Sequence, residues 1–208
     1  MKTKITIITT LIALLSLNSL CAQTQADALA LYREAKYSDA VDVCLAEIQA
    51  NPTNVESHVV LCWSLVGAGR YDEASKWALK GRTLSNYDPR LIEIQAEANY
   101  YLGANDQSLK LFQEYISYAP NGSRISPTYY FMGEIYLRLG KFRHADMALS
   151  SALQLDGSNP LWWVRLGYAR EMAKDYRYSL DAYNKALALN GSLQDAIRGR
   201  DRVLEQLN

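Results

Sequence analysis

Residues that carry catalysis or bind metals are scarce in this sequence. The 208-residue chain has two histidines, His58 and His144, and three cysteines. It contains no His-Glu-x-x-His motif, no glycine-rich phosphate loop, no Cys-x-x-Cys pair and no nucleophile elbow. Its serines and acids form no triad-like arrangement. We therefore predict that the protein is not an enzyme and holds no metal or cofactor.

An excess of positive charge is also lacking. Lysine and arginine together number 22, as do aspartate and glutamate. Residues 1–22 hold two lysines and no acid, so the rest of the chain has a slight excess of acidic over basic residues. Such a balance gives no general attraction to nucleic acid or to anionic lipid. We therefore expect no nucleic-acid partner.

The first 22 residues differ in composition from the rest. Two lysines precede a mostly apolar run over residues 5–20, and the chain turns polar after Ala22. This layout is typical of a secretory signal peptide cleaved after Ala22. It predicts an exported protein, bacterial periplasmic or secreted, whose mature form does not span a membrane. Two alternatives stay open: an uncleaved anchor, for which the apolar run is short, and a lipid on Cys21, although the bulky Leu20 precedes it.

A turn motif recurs along the rest of the chain. Its clearest copies are Ala35-Lys36-Tyr37-x-x-Ala40, Gly69-Arg70-Tyr71-x-x-Ala74 and Gly140-Lys141-Phe142-x-x-Ala145. Tyr37 and Tyr71 are separated by the same distance along the chain as Phe142 and Tyr176, which gives a period of about 34 residues. The intermediate copy carries Asn105 in place of the aromatic, one period after Tyr71 but further than one period before Phe142. Three extra residues are therefore predicted in the connection at 122–126.

A helix motif precedes the last two turns. Two copies are Tyr129-x-x-Met132-Gly133-x-x-Tyr136 and Trp163-x-x-Leu166-Gly167, and proline or glycine stops the intervening helices. The combination resembles the tetratricopeptide repeat over nearly the whole chain after residue 22. The resemblance implies an all-α fold, a right-handed superhelical solenoid of helix–turn–helix units. The predicted units cover about 23–54, 55–88, 89–125, 126–159 and 160–193.

Two segments depart from a plain repeat. The third unit is degenerate, because Gln95, Asn99 and Asn105 stand where apolar or aromatic residues are expected. After the fifth unit, residues 194–208 carry one apolar stripe and predict a helix that caps the open side of the last repeat. The alternative for this segment is a partner-binding tail.

In this family the first helix of each unit lines the concave side of the superhelix. The resemblance therefore implies a binding groove formed by Val59, Trp63, Glu93, Glu97, Tyr100, Tyr101, Tyr130, Glu134, Arg138, Arg165 and Tyr168. Tyrosine, tryptophan and arginine dominate binding hot spots. The alternative for any one of these aromatics is packing between neighbouring units.

The groove predicts the kind of partner. Members of the family that hold acidic chaperone tails use basic residues on this face, whereas Glu93, Glu97 and Glu134 would repel such a tail. We therefore expect a scaffold or adaptor that binds an apolar or basic segment of a protein or peptide. Two alternatives are a carrier of a small or lipidic ligand and an assembly subunit that makes contacts through its outer surface.

Two cysteines remain after the predicted cleavage. Cys44 and Cys62 fall on neighbouring predicted helices, at similar distances from the turn between them. In an oxidising compartment a disulfide between them would contribute on the order of 3 kcal/mol. The alternative is a pair of buried thiols that act as small apolar fillers.

Overall fold

The protein is described here by a computed structural model of residues 27–208. The predicted signal peptide, Cys21 and the start of the predicted first unit lie outside these residues. The described residues form helices α1 (Ala28–Arg33), α2 (Tyr37–Ala50), α3 (Val55–Gly67), α4 (Tyr71–Leu84), α5 (Pro89–Tyr101), α6 (Asn105–Tyr118), α7 (Ile125–Arg138), α8 (Phe142–Leu155), α9 (Pro160–Met172), α10 (Tyr176–Leu189) and α11 (Gln194–Leu207). The prediction of an all-α repeat solenoid is confirmed.

Side-chain caps and prolines explain where the first helices of the pairs begin. An aspartate or asparagine accepts hydrogen bonds from the first-turn backbone N–H groups of four of them: Asp27, Asn54, Asp88 and Asn159. These acceptors satisfy donors that have no partner within the helix. Pro89 and Pro160 follow two of the caps, at a position where no N–H is needed.

The odd-numbered helices α1 to α9 all end in one backbone conformation. A residue with positive φ follows each of them: Ala35 (57°), Gly69 (73°), Gly103 (75°), Gly140 (68°) and Lys174 (64°). These residues recur with the period of the sequence motif, and the only longer step runs from Gly103 to Gly140. The backbone therefore repeats with the same insertion as the sequence. Glycine adopts this left-handed conformation without strain, whereas Ala35 and Lys174 bear a steric cost.

Helix contacts show which side of the solenoid is the inner one. Each helix packs against the next along the chain, and α1, α3, α5, α7, α9 and α11 also contact one another in succession. The helices between them, α2 to α10, make no such contacts among the described residues. The odd-numbered helices therefore crowd along the inner side, which we call the concave surface. The helix α11 covers the last pair.

Small residues allow the paired helices to approach closely. A methyl group at Gly133 would lie 2.6 Å from Leu149, and one at Gly167 would lie 2.7 Å from Tyr183. The alanine of the turn motif is fully buried at Ala40, Ala74 and Ala145. Ser108 and Ser179 replace this alanine, and each hydroxyl donates a 2.7 Å hydrogen bond to a carbonyl of the preceding helix. The buried hydroxyl is thereby satisfied.

The degenerate third unit is packed through polar contacts. Gln95 accepts a hydrogen bond from Arg82 at 2.9 Å, and Asn99 accepts one from the Ser75 hydroxyl at 3.0 Å. These bonds join α4 to α5. Asn105 is different, because its side-chain oxygen is buried without a hydrogen-bond partner.

Both described cysteines are free thiols in fully buried positions. Cys44 packs in a cluster with Leu61 and Leu65, whereas Cys62 packs in a cluster with Ala78 and Leu91. No disulfide joins the two thiols in the structure, where both fill the core as small apolar side chains. Burial raises the pKa of the Cys44 thiol to about 12 and also raises the pKa of the Cys62 thiol.

Candidate functional site

The larger of two cavities on the concave surface has a volume of about 690 Å³. It is formed by α1, α3 and α5, by the starts of α2 and α4, and by the connection at 119–124. We call it the first cavity. It is a half-open cleft rather than an enclosed chamber. Its aromatic lining consists of Tyr32, Tyr37, Trp63, Tyr71, Tyr101 and Tyr115, and its charged lining consists of Arg90, Glu93, Glu97 and Arg124.

Ring contacts hold the aromatic walls of the first cavity in place. Tyr32 stacks on Trp63 with ring centroids 5.8 Å apart, and it meets Tyr37 at 5.9 Å. On the other side Tyr71 and Tyr101 stack with centroids 4.4 Å apart. Tyr101 is 44% exposed, so its ring is open to a ligand. These pairs order ring faces and edges before any partner arrives.

Two carboxylates share one arginine inside the first cavity. The Arg124 guanidinium donates to Glu93 at 3.0 Å and to Glu97 at 2.8 Å. Glu93 is only 2% exposed, and burial raises its pKa to about 7, although Arg124 opposes the change. Burial raises the pKa of Glu97 as well. One guanidinium therefore faces two desolvated acids.

A second arginine at the first cavity is also outnumbered by acids. Arg90 forms ion pairs of 2.7 Å with both Asp88 and Glu56. These hydrogen bonds lower the pKa of Glu56, so its carboxylate is ionised at neutral pH. The two networks around the first cavity together contain four carboxylates and two guanidiniums. With all six groups ionised, the surroundings of the cavity carry a net charge of −2. At pH 7 Glu93 is partly protonated, because its pKa is raised to about 7, so its share of this charge is then incomplete.

The second cavity lies further along the concave surface and has a volume of about 400 Å³. Helices α7, α9, α10 and α11 supply its lining of Tyr130, Leu161, Val164, Arg165, Tyr168, Tyr183, Asp195, Arg198 and Arg202. Each of its three arginines has one carboxylate partner: Glu134 for Arg165, Asp195 for Arg198 and Glu171 for Arg202. The second cavity is therefore balanced in charge.

Tyr100 and Arg138 link the two cavities. Arg138 lies over the Tyr100 ring at 3.8 Å and donates a 2.9 Å hydrogen bond to the Tyr100 carbonyl. Tyr100 is itself buried and packs against Phe131 at 4.9 Å. This contact joins the C-terminal ends of α5 and α7. It bridges α6, which packs less extensively on α7 than other neighbouring helices do on each other.

The structure divides the predicted groove residues into several groups. Trp63, Glu93, Glu97 and Tyr101 line the first cavity, and Tyr130, Arg165 and Tyr168 line the second. Tyr100 and Arg138 lie between them, and Glu134 is buried beneath Arg165. The prediction is wrong for Val59, which is 0% exposed in a buried cluster with Ala78 and Leu91. It is wrong because α3 is enclosed by both neighbouring pairs.

The sequence did not identify several residues of the first cavity. The sequence identifies Tyr37 and Tyr71 only as aromatics of the turn motif, and the structure shows that they also face the first cavity. Arg124 belongs to the connection that the wider spacing of the turn motif had marked as longer than the others. The insertion was therefore the available signal, but nothing in the repeat indicated which side chain it would supply.

Residues 27–208 hold neither a candidate metal site nor a candidate membrane span. No three histidine, cysteine, aspartate or glutamate side chains of this part of the chain are grouped to hold a metal ion. None of its helices combines the length and the apolar character required to cross a bilayer.

No protein-family model matches the sequence, and neither does any curated protein. Solved structures do match. The MamA protein crystal structure superposes with a TM-score of 0.68 and 18% identity, covering 79% of this chain and 88% of that one. YrrB, a TPR protein with an unusual peptide-binding site, superposes with a TM-score of 0.70 and 11% identity, covering 79% of this chain and 83% of that one.

PilF of Pseudomonas aeruginosa superposes with a TM-score of 0.75 and 13% identity, covering 86% of this chain and 81% of that one. Identities this low show the fold alone. Together with the period of the turn motif and the recurring left-handed turns, these likenesses show that the chain has the tetratricopeptide-repeat fold.

Proposed function

We propose that this protein is an exported adaptor of the cell envelope that holds a segment of another polypeptide on its concave surface. The observation that carries the proposal is the succession of two cavities along this surface, both lined by aromatic and arginine side chains. Such side chains give large contact areas at small entropic cost and dominate binding hot spots. An open surface formed by successive helices suits an extended segment.

The comparisons support a binding role. YrrB, which shares the fold, is described as having an unusual peptide-binding site. For the present chain we propose binding of a protein or peptide rather than catalysis. The half-open shape of the first cavity agrees with a chain that enters at one end and leaves at the other.

Affinity capture from an extract of the producing cell's own envelope tests the proposal. Trp63→Ala removes an aromatic wall of the first cavity. Tyr130→Ala removes a ring that lines the second cavity and stacks on Trp162 with centroids 4.7 Å apart. We expect each variant to lose capture by at least about tenfold while circular dichroism shows unchanged helicity. Tyr178→Ala is the matched control, because Tyr178 is 65% exposed on the outer helix α10.

The opposite pattern identifies a different binding surface. If capture survives both concave changes and is lost in Tyr178→Ala, the protein is an assembly subunit that makes contacts through its outer helices. Export needs its own test, since residues 1–22 carry that part of the proposal. Cell fractionation and the intact mass of the purified protein distinguish cleavage after Ala22, a lipid on Cys21 and an uncleaved chain.

A second candidate function is carriage of a small ligand. The volume of the first cavity lies within the range of about 300–1,000 Å³ that is typical of small-molecule sites. Native mass spectrometry of the protein purified from its own cells tests this candidate. A bound small molecule that is released on denaturation would support carriage, and a mass equal to the polypeptide alone would exclude it.

A further inference from the structure

We infer that the first cavity binds the cationic side chain of a lysine or arginine in the segment held on the concave surface. The inference rests on the proposed function and adds the chemistry of one subsite. It depends on three features of the structure: the local charge, the aromatic walls and the contrast with the second cavity.

The charge around the first cavity favours a cationic ligand. Glu93 and Glu97 of α5 share the single guanidinium of Arg124, and Asp88 and Glu56 share that of Arg90. A ligand cation would therefore bring the surroundings of the cavity toward neutrality, whereas an anionic group would add to the excess. Because Glu93 and Glu97 are largely removed from water, their ionised carboxylates attract a cation more strongly than exposed acids do. Burial also favours the protonated form of both acids, and a bound cation would shift them back toward the ionised form.

The aromatic lining of the first cavity also favours a cationic ligand. Stacked rings of Tyr32 and Trp63 form one wall, and those of Tyr71 and Tyr101 form another. The faces of such rings attract ammonium and guanidinium groups, and aromatic walls with nearby carboxylates are a recurring arrangement for binding organic cations. The methylene stem of a lysine or arginine would pack on the same rings.

The two cavities differ in charge. In the second cavity each arginine has one carboxylate partner, so no charge excess remains there. A bound segment would therefore place its basic residue against α1, α3 and α5, and its less charged part against α7 and α9. The connection at 119–124 provides the resident cation, Arg124, with which the ligand would compete.

Defined peptides test the inference on the full chain. The probe is a fluorescein-labelled ten-residue peptide of alanine, serine and tyrosine with one central lysine. Its matched partner carries Nε-acetyl-lysine at the same position, and a third peptide carries glutamate. By fluorescence anisotropy we expect the lysine peptide to bind at least about tenfold more tightly than the acetylated one. The glutamate peptide should bind no better than the acetylated one.

Three variants locate the preference. Glu97→Gln removes one charge with little change of shape, and we expect the ratio of the lysine to the acetyl-lysine affinity to fall at least about threefold. Arg124→Gln removes the competing cation, and we expect it to raise the lysine affinity at least about threefold. Glu205→Gln is the matched control at an exposed position of α11, and it should leave the ratio unchanged.

Each other outcome overturns the inference in a recognisable way. Equal binding of the lysine and acetyl-lysine peptides excludes a cation site but leaves the proposed function standing. Failure of every peptide to bind also overturns the inference, and capture with Trp63→Ala and Tyr130→Ala then decides the proposed function separately. A lysine affinity that is unchanged by both Glu97→Gln and Arg124→Gln places the preference outside the first cavity.

Discussion

Arg165 and Glu134 form a two-point ion pair across the concave surface. The guanidinium Nε donates to Oε1 at 2.6 Å, and Nη2 donates to Oε2 at 2.9 Å. The pair joins α9 to α7 and spans 31 residues of sequence. Glu134 is 8% exposed, so its carboxylate depends on this partner rather than on water. The same arginine presents its outer face to the second cavity.

Loss of this arginine is expected to destabilise the fold. Arg165→Ala leaves the Glu134 carboxylate buried without its counter-ion, and we expect the free energy of unfolding to fall by about 1–3 kcal/mol. Glu134→Gln in the same chain removes the charge that lost its partner and should restore part of the stability. Urea unfolding of both single variants and the double variant measures the coupling. Additive effects would contradict the pairing.

Replacing a strained residue by glycine at a left-handed turn is expected to stabilise the protein. Lys174 has a φ of 64°, which strains any residue with a Cβ. We expect Lys174→Gly to raise the free energy of unfolding by about 1 kcal/mol. Gly69→Ala is the converse, because nothing lies within 4 Å of the added methyl group and only backbone strain is introduced. It should lower stability by about 1 kcal/mol, measured as a shift of the urea midpoint. Shifts of equal sign in the two variants would contradict the explanation.

The sequence predicted the repeat because its signals are local. Gly69, Tyr71 and Ala74 are defined by a turn and by a close approach of two helices, and the same requirements recur once in every unit. The three-residue insertion was visible for the same reason, as a change in spacing. Features that repeat with the fold can be found without knowing what lies across the concave surface.

Features that depend on distant contacts could not be found in this way. Arg124 meets Glu93 across 31 residues, and only the path of the inserted connection brings them together. The sequence shows Glu93 and Glu97 as acids on the first helix of their unit, but it does not show that Arg124 is their partner. Val59 was assigned to the groove from its register, while the burial of α3 on several sides depends on the bulk of α4 and α5.

The close packing of α11 on Tyr183 can be tested by a substitution at Gly199. A methyl group at Gly199 of α11 would overlap with the ring of Tyr183, which is 1% exposed. Alanine normally stabilises a helix interior by about 0.5–1 kcal/mol over glycine, but the overlap should outweigh this gain. We expect Gly199→Ala to lower the free energy of unfolding by about 1–3 kcal/mol. Gly191→Ala, whose added methyl group meets nothing closer than 3.7 Å, is the control and should change little. Unchanged stability in Gly199→Ala would contradict tight docking of α11.

The buried carboxyl of Glu93 gives a prediction for pH. Burial raises its pKa from the ordinary 4.5 to about 7, with Arg124 opposing the change and Glu97 adding to it. Tyr32 and Tyr115 also face Glu93. The pKa of each phenol is raised from its ordinary value of 10.0, so both stay neutral in the pH range considered. Below pH 4.5 Glu93 is protonated in the folded and the unfolded chain alike. Between pH 4.5 and 7 the unfolded chain releases this proton while the folded chain keeps it.

The folded chain therefore binds more protons in this window, and its free energy of unfolding falls as the pH rises. The contribution of Glu93 to that fall is up to about 3 kcal/mol between pH 4.5 and 8. Glu93→Gln lacks the titrating group, so its stability relative to the unaltered protein should increase by this amount over the same range. Urea unfolding at several pH values measures the difference, and Glu205→Gln should run parallel to the unaltered protein. If the curve of Glu93→Gln also runs parallel to it, Glu93 ionises normally and the first cavity is better hydrated than its burial indicates.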